Sequence, residues 1–296
     1  GQSPVLRVVR RFAGEEQVLA QVLLDAFAVE LMAVIRYQRI AFYYASMPEK
    51  WQCLCRDVDG TLLTSDRRIT PRTCAAVKQL AEKEIPFVVV SARSPSGIYP
   101  IFREYGISGD IVCYSGGLIV DETGKVLLHR GFTREQAAEI TAFVQACGFD
   151  ADWCAYSVDD WIVRDTASPR IVREENAVHA RARQARVEDW PADALVNKIL
   201  LICNPEKLLE IEAQMRERFP AYSIAKSSDI LLEIMPAGVN KADAIAEYCR
   251  LRGIDIADTV AFGDNYNDVE MLEEVGRGVV MGNAPDEIIR RVADVT

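Results

Sequence analysis

Asp57 and Asp59 stand two residues apart in CRDVDGTLL, after a short apolar run and just before Gly60-Thr61. Two carboxylates that close repel and both favour water. A cation or a shared proton has to offset them. Other polar groups fall at comparable points. Ser91 ends the run in PFVVVSARS, Lys241 follows GVN, and Asp264, Asn267 and Asp268 close TVAFGDNYND. Three or four carboxylates brought to one place need a divalent cation. Oxygen-only ligands suit magnesium, which takes a few carboxylates, waters and substrate phosphate. A serine hydroxyl and a lysine ammonium would hold the remaining phosphate oxygens. A carboxylate aimed at phosphorus can act as a nucleophile and give an aspartyl-phosphate, with metal and lysine neutralising charge. The second aspartate can give a proton to the leaving alkoxide and take one from water. On this reading the two aspartates have unlike tasks.

These residues need elements to position them, and the hydrophobic pattern supplies some. Residues 51–57 read as a strand running into the aspartates. Thr70-Pro71 reads as a helix start, with Thr as N-cap and Pro first in the helix; Val77, Leu80 and Ala81 continue it. PFVVVSARS and DIVCYSGG are strands of buried type ending in small polar residues. Strand and helix in alternation imply a parallel sheet covered on both faces, with ligands bound beyond the carboxyl ends of its strands. Asp57, Ser91 and Ser115 all fall at such ends.

Residues 118–233 read differently. GLIVDETGKVLLH suggests a hairpin turning at Thr123-Gly124. A helix is expected near 133–147, strands around Trp153–Tyr156, Trp161–Val163 and Lys198–Cys203, and helical stretches near 174–185 and 205–218. From 234 the parallel pattern returns, with a helix from Asn240, the strand TVAFGD, a helix from Asn267, the strand GVVM and a last helix from Pro285. The expected class is therefore α/β: a Rossmann-like core over 47–117 and 234–296, interrupted by an inserted α+β domain over 118–233.

Composition bounds the rest. The 296 residues carry a formal net charge of −10. With no basic block to neutralise phosphates, nucleic acid is not the expected partner. Eight scattered cysteines without a CxxC pair fit a reduced, cytoplasmic setting. Cys53 and Cys55 read as a buried pair on one side of a strand. Residues 16–46 are apolar-rich, but Asp25 and Glu30 interrupt them before the ~18 residues of a membrane span are reached. Residues 1–46 are expected to be either an appended helical extension or a segment foreign to the natural domain, with a fresh beginning near Met47.

DVDGTLL, VVVSARS, GVNKADAI and AFGDNYNDVEML followed by VVMGNAPDEI resemble, in order, the four motifs of the haloacid dehalogenase superfamily. The resemblance covers about residues 50–296 and is strongest to Cof-type phosphatases, which carry a large α/β cap. It implies a core of that fold and a magnesium-dependent phosphatase acting on small phosphorylated metabolites such as sugar phosphates or phosphorylated cofactors. It implies Asp57 as nucleophile and metal ligand, and Asp59 as general acid/base with its carbonyl on the metal. Ser91 and Lys241 would bind the phosphoryl group. Asp264 would be a metal ligand and Asp268 would support the metal site. Asn267 would contact phosphate or orient its neighbours, and Gly60 would let backbone N–H groups approach the phosphate. A monomer or weak homo-oligomer is expected.

The sequence departs from the family pattern in places. Arg56 precedes the nucleophile where a small or apolar residue is usual, and is expected to be paired on the opposite face. SAR stands for the commoner Thr-Gly-Arg, and YSGG for Asn-Gly-Ala. Several residues read as structural: Arg93 as the partner of a nearby acid, His129 and His179 as surface or packing residues, Trp153 and Trp161 as cap core, and RARQAR at 181–186 as a solvated helix face. A phosphotransferase or phosphomutase, and a non-catalytic phosphate-binding scaffold, are the alternative functions that this pattern allows.

Overall fold

The structure, a computed structural model, describes residues 51–292 and 294–296. The expected extension at 1–46 lies outside the described residues. The central sheet has eight strands in the order β16-β15-β14-β1-β2-β3-β4-β5. Its middle is β1 (Cys53–Asp57), flanked by β2 (Phe87–Val90) and β14 (Thr259–Gly263), both parallel to it. β3 (Asp110–Cys113), β15 (Arg277–Val280) and β16 (Asp294–Val295) extend the parallel run. All five residues of β1 are buried. A central strand covered on both faces has no solvent side, which is why CLCRD does not alternate in polarity.

The two faces separate by strand period. Leu54 and Val89 pack toward α1 (Pro71–Glu82), while Cys53, Cys55, Val88 and Val90 pack toward α6 (Lys241–Arg252). α1 forms as its sequence predicts: the Thr70 side chain accepts from the Thr73 amide, Pro71 takes the first position, and Thr73, Ala76, Val77 and Leu80 make the buried face. Cys53 and Cys55 do form a buried pair, their sulfurs 3.8 Å apart. Arg56 points to the other face. It is fully buried, donates to the Thr61 carbonyl and lies 5.9 Å from the Phe262 ring.

The hairpin of β4 (Leu118–Val120) and β5 (Val126–His129) corrects the expected boundary at 118. β4 pairs antiparallel with β3, and β5 with β4, so both extend the core sheet. Ile119 is buried in the same cluster as Val112 and Ile245; that burial fixes the hairpin to this edge. The second sheet comes later, in the order β12-β13-β11-β7-β8-β9. It comprises β7 (Ala151–Ser157), β8 (Asp160–Val163), β9 (Arg183–Gln184), β11 (Lys198–Cys203), β12 (Tyr222–Lys226) and β13 (Leu231–Pro236). A two-stranded pairing of β6 (Phe132–Thr133) with β10 (Leu195–Val196) stands beside it.

One face of this second sheet packs on α3 (Arg134–Ala146) and α5 (Leu208–Arg218) through Ile140, Val144, Ile211 and Met215. The other face carries Cys154, Tyr156, Trp161, Leu200, Ile202 and Met235, which join Tyr114 and Leu118 of the core in one continuous apolar cluster. α4 (Pro169–Val178) adds Ile171 to that cluster. α4 starts earlier than expected, at Ser168-Pro169, and ends at His179, whose φ is 54°. The basic 181–186 stretch is therefore not a helix face. It runs through β9, with Arg181 on Glu175 and Arg183 on Asp160.

The crossing between the two parts is tied by Asn197, which is fully buried. Its amide donates to the carbonyls of Gly117 (3.1 Å) and Arg130 (3.0 Å). Its oxygen accepts from the Val158 amide (2.9 Å) and lies 3.0 Å from Nε2 of His129. His129 is thus a packing residue with a defined partner.

Candidate active site

The polar residues singled out in sequence gather at the carboxyl ends of β1, β2 and β14 and at the start of α6. Asp57 closes β1. The chain then turns through Gly60, whose φ is +79°. A Cβ there would stand 2.2 Å from Oδ2 of Asp264, so glycine is required by the close approach of that carboxylate. Thr61 donates to Oδ1 of Asp264 at 2.6 Å, and Asn283 donates to Oδ2 at 3.0 Å.

Lys241 is the first residue of α6, whose N-cap Asn240 accepts from the Asp243 amide. Its ammonium is buried between two carboxylates, 2.6 Å from Oδ1 of Asp57 and 2.5 Å from Oδ1 of Asp268. The other oxygen of Asp268 accepts from the amides of Asp264 and Asn265, each at 3.0 Å. Asp268 is thereby fixed at the first turn leading to α7 (Val269–Glu274), where a carboxylate is also favoured by the exposed amides.

Burial pushes the Asp57 carboxyl up to about 7; Lys241 opposes this and Asp268 adds to it. Burial also raises Asp264. For Lys241 burial works against the charge, but Asp57 and Asp268 outweigh it and hold the ammonium above its usual value. Oxygens of Asp57, Asp264 and Asp268 all lie within 4.8 Å of one another. One lysine facing three carboxylates leaves a negative excess. An all-oxygen donor set of this kind fits a magnesium-like ion.

Ser91 is buried, and its hydroxyl accepts from the Arg93 amide at 3.2 Å. The loop after β3 is laced to it, Ser115 donating its amide to the Ser91 carbonyl at 2.9 Å. Asp59 does not join the carboxylate trio. It is exposed, and Arg93 grips both its oxygens, Nε to Oδ2 at 2.9 Å and Nη2 to Oδ1 at 2.6 Å. Asn267 is exposed and takes no part in these bonds. Its neighbour Asn265 and the distant Asn283 contact the cluster instead. Sequence reasoning did not single out Thr61 or Asn283, although both lie inside the quoted motifs.

The four motif positions meet at one end of one sheet. A sequence profile described as haloacid dehalogenase-like hydrolase matches residues 54–296. The chain belongs to this family. A Haemophilus influenzae protein provisionally named a phosphatase is 33% identical over 251 residues, covering 83% of this chain and 92% of its own. The HMP-PP phosphatase of Serratia proteamaculans is 31% identical over 230 residues, covering 77% and 82%. In fold the chain is similar to the crystal structure of a haloacid dehalogenase-like hydrolase from Bacteroides thetaiotaomicron. That match has a TM-score of 0.75 and 24% identity, and covers 83% of this chain and 94% of that one. The expected α/β fold with its parallel sheet is thus borne out, as is membership of this hydrolase family. Among the described residues no helix is long and apolar enough to cross a membrane.

Proposed function

We propose that the protein hydrolyses small phosphorylated metabolites in a magnesium-dependent reaction that passes through an aspartyl-phosphate on Asp57. The enzyme is a phosphoric monoester hydrolase. The observation that carries the finer reading is the Lys241 ammonium between Asp57 and Asp268, with Asp264 beside them. Asp57, Asp264 and the carbonyl of Asp59 would hold the ion, and Asp268 would brace the site. The ion would supply charge neutralisation at the transferring phosphoryl group.

Asp57 has one oxygen on Lys241 and would present the other to phosphorus. The P–O bond to the leaving group breaks as the Asp57–P bond forms, and Asp59 would give the departing alkoxide its proton. Asp59 then takes a proton from water, which attacks the aspartyl-phosphate and releases inorganic phosphate. Lys241 and the Ser91 hydroxyl would hold phosphoryl oxygens in both steps. We take the part built on the second sheet as a cap that excludes bulk water. The eight unpaired cysteines support a reducing, cytoplasmic setting.

The test is release of p-nitrophenol from p-nitrophenyl phosphate, with magnesium, with EDTA, and in Asp57→Asn. Activity that needs the ion and drops by at least about 10³-fold in the variant is expected. Full activity in EDTA, or in Asp57→Asn, would refute the mechanism.

A further inference from the structure

The core-facing side of the second sheet carries a group of charges that the phosphate chemistry does not use. Lys198 on β11 lies directly opposite Tyr156 on β7, and Tyr156 directly opposite Trp161 on β8. The two rings are stacked, with centroids 5.6 Å apart. The Lys198 ammonium lies 5.5 Å from the Tyr156 centroid. Its side chain is 10% exposed. Glu233 on β13 stands on the same face, with Oε1 3.5 Å from Nζ. Glu174 of α4 is a half-buried carboxyl near both. Burial raises its pKa, Lys198 and Arg173 lower it, and Glu233 raises it further.

Replacing a buried ion pair by apolar residues of the same volume is often neutral or stabilising, so a pair this far buried is a weak source of stability. Nor is the ammonium saturated. Its other hydrogen bond is to the Ala92 carbonyl at 3.4 Å. A lysine has three donors, and both of these contacts are long. Ala92 is the notable partner, because it lies between Ser91, proposed to hold the phosphoryl group, and Arg93, which grips Asp59. The Lys198 ammonium thus touches the backbone of the loop that carries both Ser91 and Arg93.

We propose that Lys198 and Glu233 read the leaving group, selecting an uncharged group that offers both a hydrogen-bond donor and an acceptor. Lys198 donates to its acceptor, and Glu233 accepts from its donor. Two carboxylates around one ammonium disfavour a leaving group that brings a second anion. A sugar and an aminated heterocycle share the required chemistry. The assignment rests on the phosphatase reading above.

The experiment compares kcat/KM for a hexose 6-phosphate, an aminopyrimidine-methanol monophosphate, phosphoglycolate and p-nitrophenyl phosphate. Wild type, Lys198→Met and Glu233→Gln are assayed with magnesium. At least one of the first two esters is expected to exceed phosphoglycolate by roughly tenfold in wild type, and which one leads separates sugar from heterocycle. The ratio of that ester to p-nitrophenyl phosphate should fall by roughly tenfold or more in both variants, mainly through KM. Taking a ratio removes any loss of folded enzyme. Ratios within about twofold of wild type in both variants, or a wild-type preference for phosphoglycolate, would overturn the assignment and leave the phosphatase reading standing. A wild type silent on all four esters overturns that reading and this one together.

Discussion

Asp57 sits under an electrostatic load that Lys241 relieves only in part. Its carboxyl titrates at about 7, above the ordinary value near 4, so the folded chain holds the proton more tightly than the unfolded one. The stability it contributes is complete below about pH 4 and is lost as pH rises through about 7. In EDTA at pH 8, Asp57→Asn should therefore melt up to about 8–16 °C above wild type, for a relief of about 4 kcal/mol, and the gap should close near pH 4. Parallel melting curves across that range would discard the idea. Arg93 invites a second test. It holds the proposed acid by two hydrogen bonds, so Arg93→Ala should lower kcat by about 10–100-fold for alkyl phosphates and less for p-nitrophenyl phosphate, whose leaving group needs little protonation. Equal losses on both would remove Arg93 from that role. Asp57, Lys241 and Asp264 were legible in sequence because motif order fixes them. The partnership of Asp264 with Thr61 and Asn283 was not, because it depends on chain crossings 203 and 19 residues apart. The place of Asn267 was likewise hidden, since a two-residue difference in a short turn decides which amide faces the cluster.

Among elements, local signals were reliable where the chain itself satisfies its ends. Thr133 caps α3 and the Gln136 side chain returns the bond to the Thr133 amide. Thr133→Ala should lower stability by about 1 kcal/mol, or about 2–4 °C in a thermal melt, with turnover unchanged. No change in melting would show that the box is redundant. Gly60→Ala should do the reverse, removing most activity, because a Cβ there meets the Asp264 carboxylate; a fully active variant would contradict the described turn. Signals failed where the partner is remote. The hairpin of β4 and β5 was visible as a hairpin, but nothing local says which sheet edge it joins. The 181–186 stretch has helix-forming residues, yet Arg183 and Gln184 pair with Ile162 and Val163. Tertiary pairing overrode propensity there.

At the scale of the molecule, the two sheets are joined by a buried knot at Asn197. Asn197→Ala would strand the carbonyls of Gly117 and Arg130 and the amide of Val158. A loss of about 3 kcal/mol or more follows, near 6–12 °C in melting temperature. A shift under about 2 °C would mean water takes over the amide's bonds. The apolar cluster that runs unbroken from Leu54 and Tyr114 to Tyr156, Leu200 and Met235 has a kinetic meaning as well. Every parting of the two halves must wet that seam, so opening carries a cost in exposed apolar surface. With the second-sheet part acting as the proposed cap, turnover is expected to slow as the solvent is made more viscous, and a rate blind to viscosity would put the slow step at bond breaking.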